Sequence, residues 1–277
     1  DNDGDHDLLA AGEWTKVFVL KNDEGFFTDA TRAAGLEETS GWWSALCSAD
    51  IDGDGDPDIV GGNLGLNTKL KASIKEPVEM FINDFDNNGI LDHIICTYRE
   101  GISYPVAYLD DMTGQMPFLA KKYPEYSDFA GQTAKDIFGL KTLKRSIQLS
   151  VVMSGSCIFL NEGNGTFKIV SLPVEAQFAP VRDILVRDFN RDDKNDIVVV
   201  GNDYTVRPSL GRYDASYGWF LSGNDGPVFK ALMPVQSGLA VNGDARKILP
   251  VIINGKQCLV AAVNNENLVI FEISSSF

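Results

Sequence analysis

The chain has 277 residues, 44% hydrophobic and 23% charged, which is the composition of a folded body with a sizeable core and not of a disordered chain. Its 39 acidic residues outnumber 24 basic ones, leaving a net charge of −15. Such a surface repels nucleic-acid phosphates and anionic membranes and favours cations, so no nucleic-acid partner is expected. No apolar run reaches the roughly 18 residues of a transmembrane helix.

The chain opens on Asp1-Asn-Asp3-Gly4-Asp-His-Asp7, and acidic runs of the same phase return three times further on. Residues 17–20 and 26–28 read as strands around the turn Asn22-Asp-Glu-Gly25. The first complete run is Asp50-Ile-Asp52-Gly-Asp54-Gly55-Asp56-Pro-Asp58, followed by Ile-Val-Gly. The second is Asp84-Phe-Asp86-Asn-Asn88-Gly89-Ile90-Leu-Asp92, followed by His-Ile-Ile-Cys. The third is Asp188-Phe-Asn190-Arg-Asp192-Asp193-Lys194-Asn-Asp196, followed by Ile-Val-Val-Val. The opening run fits the same pattern from its third position onward, and we expect the chain to be a piece of a longer protein.

This spacing suits calcium, a hard cation that takes six to eight oxygens at about 2.3–2.6 Å. Short side chains at positions 1, 3 and 5 converge if the backbone curls, and glycine at position 6 supplies the positive φ of the curl. Position 7 offers a carbonyl oxygen and the aspartate at position 9 closes the shell. The expected ligands are Asp50, Asp52, Asp54 and Asp58 with the carbonyl of Asp56, then Asp84, Asp86, Asn88 and Asp92 with the carbonyl of Ile90. The third set is Asp188, Asn190, Asp192 and Asp196 with the carbonyl of Lys194, although Asp193 replaces the glycine. Asp1, Asp3 and Asp7 complete the expectation of three to four calcium sites. An EF-hand is excluded, because position 12 is Gly61, Ile95 or Val199 instead of glutamate, and β-branched runs in place of helices follow the loops. Position 2 is Ile51, Phe85 or Phe189, an apolar plug for a core.

Residues 108–145 break the β pattern, with short helices expected around 111–122 and over Thr133–Gly139, where Thr133 is the N-cap. This stretch reads as an insertion that covers one end of the sheets, or as a ligand-binding face. Strands at 157–160 and 167–171 flank Asn161-Glu-Gly-Asn-Gly165, a turn and not a phosphate loop, since neither Lys-Ser/Thr nor a helix follows. Asn202, Asp203, Tyr204, Arg212, Tyr213 and Asp214 form a polar and aromatic cluster after the third run; it reads as a sugar or protein site, or as a hydrogen-bonded turn closing a blade. Strands at 218–222 and 228–232 flank Gly223–Gly226. Residues 247–272 read as a strand group that has lost its acidic loop. The cysteines Cys47, Cys96, Cys157 and Cys258 lack C-x-x-C spacing, so zinc is not expected. Each lies in an apolar stretch and is expected as a buried free thiol, with one or two disulfides left open.

The acidic runs, the stretch Phe18-Val-Leu-Lys-Asn-Asp-Glu-Gly-Phe-Phe-Thr28-Asp-Ala-Thr, Gly41-Trp-Trp-Ser, Gly62-Asn-Leu-Gly-Leu-Asn67 and Gly211-Arg-Tyr-Asp-Ala-Ser216 together carry a resemblance. They resemble the FG-GAP or VCBS-type repeats of integrin α-chain propellers and of bacterial secreted proteins, and more widely the cartilage-acidic-protein-like ASPIC/UnbV group. The resemblance implies an all-β propeller of calcium-laced blades over residues 1–277, either a single domain or a partial ring of a larger propeller, that is exported to the periplasm, the cell surface or the medium. It names no ligand; an extracellular protein or a glycan is the expected partner. His6 and His93 lie in or beside acidic runs and have no nucleophile partner, so no catalytic residue is assigned. We therefore expect a non-enzymatic binding or adhesion module; the alternatives are the propeller part of a lyase or hydrolase acting on carbohydrate, and a purely structural segment of a surface protein.

Overall fold

A computed structural model describes residues 4–207 and 210–273. Strands come first: β1 (Leu8–Ala10), β2 (Glu13–Thr15), β3 (Phe18–Asp23), β4 (Phe26–Asp29), β5 (Gly41–Trp42), β6 (Ala45–Ala49) and β7 (Asp58–Gly62). Then come β8 (Val78–Asn83), β9 (Asp92–Arg99) and β10 (Ile102–Pro105), and helices α1 (Leu109–Gln115), α2 (Leu119–Lys122), α3 (Tyr126–Phe129), α4 (Ala134–Phe138) and α5 (Leu140–Leu143). The rest is β11 (Ile147–Val151), β12 (Cys157–Asn161), β13 (Phe167–Ser171), β14 (Val181–Arg187), β15 (Asp196–Gly201), β16 (Trp219–Gly223), β17 (Phe229–Leu232), a short helix α6 (Pro234–Ser237), β18 (Ala245–Ile253), β19 (Lys256–Val263) and β20 (Val269–Glu272).

These strands make small antiparallel sheets, in the orders β1-β3-β4, β13-β12-β7-β6, β10-β9-β8-β11, β14-β15-β16-β17 and β18-β19-β20, with a two-stranded ribbon β2-β5. Each complete acidic run joins two neighbouring strands: loop 1 joins β6 to β7, loop 2 joins β8 to β9, and loop 3 joins β14 to β15. The turn Asn254-Gly255 between β18 and β19 stands where the fifth sheet has no such loop. The three hairpins expected from polar turns form as β3–β4, β12–β13 and β16–β17.

The chain divides into two compact units. One runs to Lys69 and resumes at Ser154; the other is Leu70–Met153. The second unit contains loop 2, its own four-stranded sheet and α1–α5. The helices fall where the sequence broke its β pattern, and Thr133 caps α4 by accepting the Asp136 N–H while the Asp136 side chain accepts the Thr133 N–H. The detour in the chain is nevertheless wider than the helices, because it takes a whole sheet with it. It interrupts one sheet of the first unit between β7 and β12, which pair through Ile59↔Phe159, Val60↔Ile158 and Gly61↔Cys157. The chain leaves and returns at one place, where the Gly65 N–H donates to the Ser154 carbonyl at 2.7 Å.

In the Leu70–Met153 unit, Ile94 and Cys96 from the sheet and Phe85 from loop 2 pack on Met112, Met116, Leu119, Ile137 and Leu143 from the helical stretch. In the first unit, one core joins Val60 and Ile158 to Ile184, Ile197, Val199 and Leu221. Another joins Val198, Val200 and Phe220 to Ile248, Leu259 and Ala261. Full burial of side chains this size contributes about 1.5–3 kcal/mol each. All four cysteines are free; burial pushes the Cys96 thiol up to about 12 and Cys157 higher still, so neither is reactive near neutrality.

The start of β14 lies against the end of β7 in the neighbouring sheet and against the end of β15 in its own, and both approaches need glycine. A Cβ on Gly62 would stand 2.8 Å from the Val181 carbonyl oxygen, and one on Gly201 would stand 1.7 Å from the Pro180 oxygen. The Val181 N–H donates to the Asn63 carbonyl and the Asn202 N–H to the Pro180 carbonyl, so the contacts are backbone to backbone. Gly62→Ala is expected to cost about 1–3 kcal/mol by overpacking, read as a lower urea midpoint at unchanged slope.

Candidate metal centre

Loops 1, 2 and 3 share one hydrogen-bonded plan. The position-1 carboxylate accepts the N–H of position 6: Gly55 to Asp50 at 3.1 Å, Gly89 to Asp84 at 2.9 Å, Asp193 to Asp188 at 3.1 Å. Position 3 accepts from the N–H of position 5: Asp54 to Asp52 at 3.3 Å, Asn88 to Asp86 at 3.2 Å, Asp192 to Asn190 at 3.0 Å. Position 5 accepts from position 7: Asp56 to Asp54, Ile90 to Asn88 and Lys194 to Asp192, at 2.7–3.0 Å. Short side chains are required because each bonds a backbone N–H only two to five residues further on, inside the same tight curl. Two residues per loop have positive φ, at position 4 (Gly53 81°, Asn87 59°, Arg191 65°) and position 6 (Gly55 96°, Gly89 86°, Asp193 64°). The third loop thus holds Arg191 and Asp193 in the left-handed region that glycine occupies without strain.

The position-9 aspartates are buried, with Asp58 and Asp196 at 0% exposure and Asp92 at 4%. Each accepts the N–H of its own position 2: Ile51 at 2.7 Å, Phe85 at 3.2 Å, Phe189 at 3.1 Å. The second oxygen of Asp58 accepts the Asn161 N–H at 2.7 Å, and that of Asp196 the Gly223 N–H at 2.9 Å, each from the end of the next strand. Asp7 does the same for the Asn22 N–H at 2.9 Å, Gly4 has the positive φ of position 6, and the Asp5 side chain accepts the Glu24 N–H. Asp1 and Asp3 lie outside the described residues. The apolar plugs Ile51, Phe85 and Phe189 are buried, Phe85 against Phe138 and Phe189 against Phe220.

In loop 1, carboxylate oxygens of Asp50, Asp52 and Asp58 lie within 4.8 Å of one another; Asp84, Asp86 and Asp92 do the same in loop 2. Oxygens on a sphere of about 2.4 Å radius are at most about 4.8 Å apart, so either trio can hold one calcium ion. Among the described residues, loop 3 has no such trio of carboxylates, because its position 3 is Asn190. The Asn190 amide donates to Asp192 at 3.1 Å, and Asn190 and Arg191 lower the negative charge of that loop, while Lys194 is paired with Asp225 at 2.7 Å. Asp54 and Asn88 sit at position 5, outside the trios, with their side chains on the position-7 N–H groups.

The crowding has an electrostatic cost. Burial, reinforced by Asp54 and Asp50, raises the pKa of Asp52. Burial raises Asp58, Asp92 and Asp196 too, against the N–H bonds each accepts. A cation offsets both burial and repulsion, which is the fit these donors offer.

Two features of the first unit were not read from the sequence. Strands β14 and β18 each carry a bulge at their second residue, Arg182 and Arg246. The bulges aim two arginines at two buried aspartates: Arg182 pairs with Asp203, and Arg246 with Asp244 at 2.5 Å. The matching strings Val181-Arg-Asp-Ile-Leu and Ala245-Arg-Lys-Ile-Leu were the available signal. The second feature is an asparagine just past three second strands, Asn63, Asn202 and Asn264. Asn202 shows its use: its amide donates to the Ser216 and Gly243 carbonyls, both at 2.8 Å.

Burial works against the ionisation of Asp203, but the Thr205 hydroxyl and N–H, with Arg182 and Arg246, outweigh it and hold its pKa below the usual range. Tyr213, the other titratable neighbour, is neutral at these pH values, and Asp203 raises its pKa beyond the effect of burial. A depressed folded pKa gives stability that is present above the unfolded value near about 3.9 and lost as pH falls through the folded value. The difference in melting temperature between the parent and Asp203→Asn is therefore expected to shrink as pH drops from about 5 to below about 3.

Among known families, the FG-GAP-like repeat matches residues 1–61, which cover the opening acidic run and all of loop 1. FG-GAP repeats form propeller blades, and the small antiparallel sheets here have that form. Among curated proteins none matches the chain. No helix among the described residues is long and apolar enough to cross a membrane.

Proposed function

We propose that this chain is a calcium-stiffened propeller module that works outside the cytoplasm and binds a protein or glycan without turning it over. The observation that carries the reading is the recurrence of one loop plan, with the same N–H acceptors and the same two left-handed positions, at three separate strand junctions. Asp50, Asp52 and Asp58 would hold one ion and Asp84, Asp86 and Asp92 a second, with Asp54 and Asn88 and the carbonyls of Asp56 and Ile90 completing the shells. Asp188, Asn190, Asp192, Asp196 and the Lys194 carbonyl would hold a third more weakly. The opening run, with Asp7, would form a fourth.

Bound calcium supplies charge neutralisation and a fixed curl. The chain's own contribution is to place the oxygens, bury the position-9 carboxylate and anchor the loop by its position-2 plug. Calcium loops of extracellular modules bind at about 0.1–1 mM, a range that cytosolic calcium would leave unfilled, and this supports an exported location. The same loops favour kinship with the bacterial ASPIC/UnbV-like proteins and the integrin α-chain propellers. Melting curves recorded in millimolar calcium and in excess EDTA test the proposal; superimposable curves overturn it.

A further inference from the structure

At the end of its strands remote from loop 3, the first unit has a groove of about 880 Å³. Strand β15 starts at the loop with Asp196 and ends at Gly201, so the residues that follow it lie at the opposite end. It is lined by Tyr204, Thr205 and Arg212, by the turn from Asn264 to Leu268 with the start of β20, and by Asn242, Gly243 and Asp244. We infer that this groove is a binding site for a neutral saccharide, an assignment that rests on reading the chain as a binding module.

The lining chemistry suits hydroxyl arrays. The side chains of Asn242, Asn265 and Asn267 are exposed in the groove, and each amide presents a donor and an acceptor side by side. Leu268 and Ile270 are 63% and 54% exposed beside them, an apolar strip for the C–H face of a sugar ring. The Tyr204 ring, also in the lining, is held by the Arg212 guanidinium, 3.4 Å from its centroid. A ring braced this way keeps its edge and hydroxyl in place at little entropic cost.

Asp244 adds an independent observation. It is 1% exposed and lines the groove, and its Oδ1 is buried with no hydrogen-bond partner among the described residues. Its Oδ2 takes Arg246 at 2.5 Å and the Asn264 amide at 3.4 Å. A buried carboxylate oxygen left without a donor is costly, so a hydroxyl or an ordered water brought to this side of the groove would be favoured. Arg246 already balances the charge, which leaves a demand for a hydrogen bond and not for a cation. Arg212 is already engaged by the Asp214 carboxylate, 3.6 Å away, and by the Tyr204 ring, so it offers no unpaired guanidinium to an anion. A neutral hydroxyl donor meets these conditions; an anionic ligand does not.

The test is isothermal titration of the calcium-loaded full chain with neutral hexasaccharides of glucose, xylose and mannose, beside oligogalacturonate and chitosan oligomers. At least one neutral hexasaccharide is expected to bind better than the charged ones. Tyr204→Ala and Asn267→Ala, both at exposed positions, should each weaken it about tenfold or more with melting temperature unchanged. Silence from every neutral oligomer, preference for a charged one, or binding indifferent to both substitutions would overturn the inference. A chain that melts identically with and without EDTA yet binds sugar through these residues sinks the calcium reading and leaves the groove standing; the reverse result separates them the other way.

Discussion

Excess EDTA is expected to lower the melting temperature by on the order of 10 °C. One site at about 100-fold excess over its Kd adds about 2.7 kcal/mol to the folded state. A domain of about 150–250 residues shifts by about 2–4 °C per kcal/mol, and one of 60–100 residues by about 4–8 °C. Loop 1 belongs to the larger unit and should contribute about 5–10 °C there. Loop 2 belongs to the small Leu70–Met153 unit, where the same free energy is worth about 10–20 °C. Differential scanning calorimetry with Asp84→Ala separates the two: the substitution should abolish the calcium response of the smaller unit and spare the rest.

The second large effect falls on Asp58, whose carboxylate would do more than hold an ion. Its carboxylate accepts the Ile51 and Asn161 N–H groups, both at 2.7 Å, in a fully buried setting. Asp58→Ala leaves two buried donors unmet, at about 1–3 kcal/mol each, so a loss of about 3–5 kcal/mol is expected even in EDTA. Asp52→Asn should behave in the opposite manner. Asp52 accepts one long bond from Asp54 and its pKa is raised by burial and by its acidic neighbours. Neutralising it should leave stability in EDTA within about 0.5 kcal/mol while removing the calcium increment of that loop. Urea unfolding of both variants, with and without calcium, checks the contrast. An Asp58→Ala chain as stable as the parent in EDTA would reduce that residue to a ligand alone.

The loops were legible because their rule is local. Each position reaches a neighbour two to seven residues away, so 1-3-5-9 spacing and glycine at position 6 carry most of the plan. The hairpins were legible for the same reason, since turn chemistry at Asn22–Gly25 or Gly223–Gly226 needs no distant partner. The path of the chain was not. Nothing near Gly62 announces that β7 pairs with β12 beyond a whole intervening unit, because that pairing is written in the burial of Val60 against Ile158. The Arg182–Asp203 and Arg246–Asp244 pairs were hidden for a related reason. A bulge turns each arginine off the alternation that pattern reading assumes. The polar cluster after loop 3 splits into two roles: Asp203 and Tyr213 close a backbone bridge, while Tyr204 and Arg212 face the groove.

The interruption between β7 and β12 sets an order on biosynthesis. When β7 has left the ribosome, its partner is still untranslated behind all of Leu70–Met153. Until then one flank of β7 carries amide and carbonyl groups with nothing to bind, the kind of edge that recruits wrong strands. Closing so distant a pairing is slow when the stretch between is a loose coil, and faster when that stretch has already condensed. An autonomous helical and sheet core between them shortens the span to the one gap bridged by Gly65 and Ser154. Conditions that delay the inner unit, calcium scarcity at Asp84–Asp92 among them, would thus leave the outer sheet waiting and open to aggregation.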